Sequence, residues 1–390
     1  MFEQVPILSL IVLSPLLGVI ALLFVPGQNG RWIKNVGIAA TFVPLVLSAA
    51  LYADYLNQSD GFEYREQADW IRFALNPGTL GSPITSYIYD FDYHLAVDGL
   101  SLPLVFLTAL LGTMAAFASV HIKKRWKAYF IFFLLLELGM LGVFMARDLF
   151  LFFLFFEATL VPTFFLIGIW GYAEREKAAN KFLIYNGLGS AVMLIAFFIL
   201  ISTAGAVQTA SGGGSAIVYS GDLGVIMNNL LMERSALVNV PTNPFFLGGT
   251  AQWAVFILLL VAFGIKLPMF PFHTWMLKVH AEAPPSLVML HSGVMLKMGA
   301  YGLLRFGILL FPAQAKQWAL VLAALGVINI LYGALLAFVQ KDFKLVLAYS
   351  SVSHMGVVLL GLAAFNQTGM QGAIFQMVSH GLISALMFLI

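Results

Sequence analysis

Residues 255–275 read V-F-I-L-L-L-V-A-F-G-I-K-L-P-M-F-P-F-H-T-W. Lys266 ends an uncharged run, and Pro268, Pro271 and His273 follow at once. A charged side chain at the centre of a bilayer costs about 2.5–3.5 kcal/mol on insertion scales. Two prolines remove amide donors and free upstream carbonyls, and lipid cannot satisfy those groups, so such backbone must lie beside protein or water. Broken helices near the midplane mark ion and substrate sites in transporters. The segment therefore reads as a hydrated pivot carrying a titratable base. The plainer reading is a structural lysine held by carbonyls at a kink.

The other ionisable residues in apolar stretches are few. Glu137 and Glu157 are the acids, and Lys297 is the second interior lysine. Glu157 sits in L-F-L-F-F-L-F-F-E-A-T-L-V-P, where the plain alternative is a protonated carboxyl bonded to a neighbour. Lys297 sits in V-M-L-K-M-G-A-Y-G-L-L-R-F, where Gly299, Ala300 and Gly302 let another helix come close. Arg305 lies near the end of that stretch, where a long side chain can snorkel. His291, His354 and His380 add groups that can carry a proton or serve as structural hydrogen-bonding partners. Lysine cannot ligate Na⁺ but can pass a proton, so this set fits a proton relay better than a sodium site. His273 and His280 lack metal-site spacing such as H-E-x-x-H. The G-G-G at 212–214 is not a nucleotide loop, and no nucleophile–base pair is visible.

These side chains need a membrane scaffold to hold them. The chain has 390 residues, 61% hydrophobic and 10% charged, against about 25% charged in soluble domains. Mean hydropathy is +0.93. A net charge of +2 gives no reason to expect nucleic acid. Without cysteine, the chain holds no disulfide, c-type haem attachment or thiolate-ligated iron–sulfur cluster. A span needs roughly 20 apolar residues. Eleven are expected, near 6–25, 33–54, 98–120, 128–146, 149–170, 180–203, 252–277 (broken), 284–311, 317–339, 344–364 and 371–390.

The loops alternate in character. Lys123, Lys124, Arg125 and Lys127, then Arg175, Lys177 and Lys181, then Lys341 and Lys344 fall on one side of an eleven-span layout. The 55–97 loop, with Asp60, Glu63, Glu66, Asp69, Asp90 and Asp92, and the 204–250 loop fall on the other. The positive-inside rule puts the basic side in the cytoplasm and the N-terminus outside. R-D-L-F-L at 147–151 and K-D-F-K-L at 341–345 begin the fifth and tenth spans. An odd offset inverts the second copy, as in transporter repeats. The expected division is 1–127 as N-terminal helices and external loop, 128–311 as the first five-helix unit, and 312–390 as the start of an inverted second. The apolar run ending at Ile390 is expected to continue in a longer chain.

With those segments in place, the sequence resembles the antiporter-like membrane subunits of proton-pumping NADH:quinone oxidoreductase (respiratory complex I). That family is shared with multisubunit Na⁺/H⁺ antiporters. The resemblance rests on L-A-V-D-G-L-S-L-P-L-V at 95–105, R-D-L-F-L-F-F-L-F-F-E-A-T-L-V-P-T-F-F-L-I-G at 147–168 and F-G-I-K-L-P-M-F-P-F-H-T-W at 263–275. L-K-M-G-A-Y-G-L-L-R-F at 296–306, which favours the M branch over the L and N branches, and V-S-H-G-L-I-S-A-L-M-F at 378–388 complete it. It implies an all-α polytopic bundle with a broken seventh helix. Glu157 and Lys266 are implied as an ion pair, Lys297 as the central relay lysine, and His354 and His380 as relay groups beyond it. The family's exit acid lies past Ile390. Glu137 is an additional acid, and His291 departs from the family's small-residue pattern. The resemblance implies no cofactor in this chain: NADH or ferredoxin, FMN, iron–sulfur clusters and quinone belong to other subunits. Implied partners are antiporter-like neighbours, a lateral helix from another chain and membrane lipid. A Na⁺/H⁺ antiporter subunit, a membrane-bound hydrogenase or formate-oxidising complex, and a scaffold whose charges only bind helices together are the alternatives.

Overall fold

The computed structural model describes residues 5–58, 63–75, 84–119, 122–211 and 214–390. Asp60 and Gly212 lie outside the described residues. Among the described residues ten helices are long and apolar enough to cross a membrane, and Leu102–Ala118 is a shorter apolar eleventh. The first six spans are α1 (Ile7–Phe24), α2 (Gly30–Tyr55), α3 (Leu102–Ala118), α4 (Trp126–Met145), α5 (Leu149–Trp170) and α6 (Arg175–Ser202). The seventh is split into α8 (Gly249–Lys266) and α9 (Thr274–Glu282). The eighth runs through α10 (Pro285–Leu290), a π-helical turn at His291–Met295, α11 (Leu296–Gly302) and a second π-helical turn at Leu303–Ile308. Short α12 (Pro312–Gln317) leads to α13 (Ala319–Val339), α14 (Phe343–Ala363) and α15 (Gln367–Leu389). The eighth span is buried along its length.

Helices that are apolar all round have no polar stripe to orient them, so close approach at small residues takes over. A side chain at Gly299 would meet Leu267 N at 2.5 Å and Phe263 O at 2.8 Å. The end of α8 is thus pressed against α11, bringing the Lys266 backbone close to the turn that carries Lys297.

The two segments expected to be loops on the side opposite the basic loops fold instead. Strands β1 (Tyr64–Leu75), β2 (Ile84–Val97), β3 (Ala206–Ser211) and β4 (Gly214–Ser220) make one sheet in the order β1-β2-β4-β3. β1 and β3 pair antiparallel with their neighbours, and β2 runs parallel to β4. The rings of Phe73, Tyr89 and Tyr219 stack across it at 5.0 and 4.8 Å. Helix α7 (Leu223–Leu231) follows, capped by Asp222, which accepts from Val225 N.

Charges fasten this sheet to the helix ends. Glu66 of β1 accepts from Leu8 N and Ser9 N at 2.6 and 2.9 Å, satisfying free amides at the start of α1. His94 of β2 bonds Asp222 at 2.5 Å. Arg147, between α4 and α5, reaches Glu63 at 2.5 Å and Asp98 at 3.0 Å. Arg305 donates to Asp98 and, at 3.2 Å, to the Tyr301 hydroxyl. The snorkelling expected of Arg305 does not occur: the residue is 7% exposed, because a carboxylate is available inside the protein. Burial opposes ionisation of Asp98, but the Arg305 and Arg147 charges prevail and hold its carboxyl well below the usual range. The R-D and K-D motifs share a local role. Asp148 caps α5 through Phe150 N and Leu151 N, and Asp342 caps α14 through Lys344 N.

Candidate proton-relay site

Lys266 is the last residue of α8. A lysine there meets the negative end of the helix dipole. Its ammonium lies 4.9 Å from the Phe156 ring centroid and 5.7 Å from that of Phe182, within cation–π range. The carboxylate whose field reaches it is Glu157. Among the described residues the two make no contact ion pair within 4.0 Å. The implied ion pair is therefore a longer-range one here. Glu157 Oε1 is buried without a hydrogen-bond partner.

Beyond Lys266 the chain turns away and is caught by α13. Phe270 N donates to Asn329 Oδ1 at 2.8 Å, and Asn329 Nδ2 donates to Pro268 O at 3.4 Å. Trp275 Nε1 closes the other side by donating to Ile265 O at 3.0 Å. Asn329 is fully buried, so it meets backbone groups that the prolines leave without helical partners. Asn329→Leu should orphan the Phe270 amide and lower the stability of the protein by about 1–3 kcal/mol. Asn329→Asp keeps the acceptor and should retain most of that stability. Unchanged thermal stability in Asn329→Leu would show that the clamp does nothing.

The second lysine is more fully engaged. Lys297 is fully buried and donates to Ser292 O and, at 2.7 Å, to His380 Nδ1 on α15. An ammonium donating to Nδ1 places the His380 proton on Nε2, which faces Ser351 Oγ on α14 at 3.2 Å. Ser351 in turn lies 3.2 Å from Ser292 Oγ and donates to Leu347 O. The His354 ring is 5.2 Å from the His380 ring, and its Nδ1 meets Gln376 at 2.9 Å. His354, Ser351, Gln376 and His380 line a cavity of about 120 Å³, roomy enough for water. The structure thus brings together Lys297, His380 and His354 as one connected group.

Between the lysines stands a pair that sequence reasoning left unassigned. His280 Nε2 and His291 Nδ1 are 2.9 Å apart, and both residues are fully buried. Fields from both lysines reach His291, and that of Lys297 reaches His280. His291 packs against Phe182 and Trp275, at 6.1 and 5.3 Å between ring centroids. His291 opens a π-helical turn, a feature frequent at functional sites. The outer nitrogens, His280 Nδ1 and His291 Nε2, have no hydrogen-bond partner. Glu137 stands apart: its carboxyl fills the notch at Gly112 of α3, and neither oxygen is bonded.

A transmembrane bundle with a split span ending in lysine, and a second lysine bonded to histidine on a later span, defines an antiporter-like membrane subunit. Residues 146–390 match the family described as NADH:quinone oxidoreductase/Mrp antiporter, TM, and residues 70–146 match NADH-ubiquinone oxidoreductase chain 4, amino terminus. The chain belongs to this family of NADH:quinone oxidoreductase chain 4, also called subunit M. It is 40% identical over 387 residues to an NAD(P)H-quinone oxidoreductase chain 4 of Thermosynechococcus vestitus, covering 99% of this chain and 64% of that one. It is 37% identical to NADH-quinone oxidoreductase subunit M of Rhodobacter capsulatus, covering 98% of this chain and 69% of the relative. Among solved structures, respiratory complex I from Thermus thermophilus with bound NADH holds a chain matching at TM-score 0.75 and 26% identity, over 98% of this chain and 70% of that one. The chain spans 64% of the length of the first curated relatives it matches.

Proposed function

We propose that this chain is the proton-translocating part of a membrane subunit of NADH:quinone oxidoreductase, and that it does no redox chemistry itself. The observation that carries the reading is the Lys297–His380 bond of 2.7 Å, buried within the bundle and continued by Ser351 and His354. The relay runs from Lys266, under the influence of Glu157, through His291 and His280 to Lys297, then to His380 and His354. Each group can hold a proton and hand it on, and neutral imidazole does both through its two nitrogens. Glu137, packed at Gly112 apart from this line, is an additional acid of the set. Electrons pass through FMN and iron–sulfur clusters to quinone in other subunits, starting from NADH or ferredoxin. The neighbours are antiporter-like subunits and a lateral helix from another chain. Residues 128–311 form the first functional unit and 312–390 open the second.

The energetics limit what one charge pair can do. A lysine–carboxylate pair about 7 Å apart at an effective dielectric of about 20 attracts by roughly 2.4 kcal/mol. Moving one charge against about 150 mV needs about 3.5 kcal/mol. Opening the Glu157–Lys266 pair is thus insufficient alone and must be coupled to motion at the pivot. Glu157→Gln should lower proton uptake per electron in proteoliposomes of the assembled complex, while Glu157→Asp retains part of it. A normal ratio in fully assembled Glu157→Gln would remove Glu157 from the relay. A sodium-dependent, redox-independent transport activity would favour the antiporter reading instead.

The basic loops face the cytoplasm and the N-terminus lies outside. The chain has no native cysteine, so single cysteines report topology directly. A cysteine at 124 should resist membrane-impermeant maleimide added to intact cells, and one at 232 should react. The opposite pattern reverses the orientation.

A further inference from the structure

On the basic side, the α3–α4 and α5–α6 connections enclose a cavity of about 640 Å³. Lys123, Lys124, Arg125 and Arg175 line it with Trp170 and Tyr172, and no acidic residue does so among the described residues. None of the four cations forms an ion pair among the described residues. Of the two acids flanking Arg175, Glu174 is already engaged by Lys177 at 2.8 Å and Lys278 at 2.9 Å, and exposed Glu176 forms no ion pair with the four cations among the described residues. The positive bias of the cavity comes from these four side chains: α4 and α6 begin near it while α3 and α5 end near it, so the helix dipoles offset one another.

The cavity is continuous with a lipid-facing surface. Ile169 lines it, and Phe165 and Val161 follow at one-turn intervals down α5. Phe165 is 38% exposed and Val161 is 53% exposed. Phe132 of α4 stacks on Phe165 at 5.0 Å and stiffens that side of the stripe. Trp and Tyr mark the level of the headgroups. A concentrated positive pocket at that level, opening onto an apolar stripe, matches an amphiphile with an anionic head rather than a soluble anion. Basic pockets between spans on this face suit anionic headgroups.

We propose that this cavity binds the phosphate headgroup of an anionic phospholipid from the basic-side leaflet, with an acyl chain along Ile169, Phe165 and Val161. The site rests on the span layout and is independent of the relay. The test uses the assembled membrane complex in phosphatidylcholine nanodiscs doped with phosphatidylglycerol. The readout is phosphatidylglycerol retained per complex after detergent washing, by mass spectrometry. Lys124→Ala with Arg175→Ala should lower retention about tenfold, leaving phosphatidylcholine unchanged. Gly168→Leu keeps every charge but fills the cavity, where a Cβ first meets Ala179 at 3.7 Å; it should lower retention as well. Lys177→Ala, outside the cavity, should not. Unchanged retention in both the charge and the filling variants overturns the site. Displacement of the lipid by inorganic phosphate alone makes it a free-anion site, and cross-linking of residue 124 to a neighbouring chain without lipid loss makes it a protein contact; either result overturns the proposal.

Discussion

On the proposed reading, Lys266→Ala in an otherwise assembled complex should abolish most proton uptake through this chain while leaving redox groups carried by other chains in place. Alanine removes the base at the end of α8 and leaves Glu157 without the cation whose field it shares. Turnover should fall too, because electron flow and pumping are linked. Lys266→Arg is the sharper variant. It keeps the charge over the Phe156 and Phe182 rings, but guanidinium does not release its proton at accessible pH. Arginine should therefore preserve assembly and fail to restore pumping. The measurement is protons taken up per electron in proteoliposomes, with assembly checked on native gels. If assembled Lys266→Ala pumps at the normal ratio, the lysine is a structural plug for a kinked helix and the relay reading is wrong.

Lys297→Ala should be at least as damaging, for a second reason. Besides breaking the relay, it strips the donor from Ser292 O and His380 Nδ1, and each buried group left unsatisfied costs about 1–3 kcal/mol. A loss of coupling could then reflect a distorted core. His291→Phe separates the two effects. It keeps aromatic packing against Phe182 and Trp275 but cannot accept or pass a proton. Positioned proton transfer contributes about 10²–10⁴-fold, so pumping in His291→Phe should drop by at least about tenfold, while stability falls only by the about 1–3 kcal/mol of the one group it orphans, His280 Nε2. Equal pumping in His291→Phe and the parent would exclude the histidine pair and leave the lysines linked by another route.

The His291 result also measures how far sequence reasoning reaches into the site. Lys266, Lys297 and Glu157 stand out from sequence because insertion into lipid penalises each one individually, so no partner need be known. His291 stands out as a group able to carry a proton, but nothing in the sequence names its partner, and His280 is seen only as a metal candidate and set aside. Neither is costly when neutral, and their meeting depends on the turn at Pro284 and Pro285 and on the π-helical turn that begins at His291. Asn329 was equally hidden. An uncharged residue in an apolar helix draws no attention until the loop it holds is seen beside it.

The spans were legible for the same local reason: lipid demands helices, and hydropathy over a window of one span suffices to find them. The sheet was not, although β2, I-T-S-Y-I-Y-D-F-D-Y-H-L-A-V, is rich in strand-forming residues. Its parallel partner β4 lies far along the chain, and nothing within a window reports which distant segment completes a sheet. Arg305 shows the limit most plainly. Its place near the end of a span suggested snorkelling, and only the arrival of Asp98 from the start of α3 decides that it is buried. Sequence alone determined which residues must cross the membrane and which charges are expensive there. The tertiary structure decided which of those charges and histidines touch, because contacts between apolar helices are set by close approach at positions such as Gly299, and no pattern of polarity encodes them.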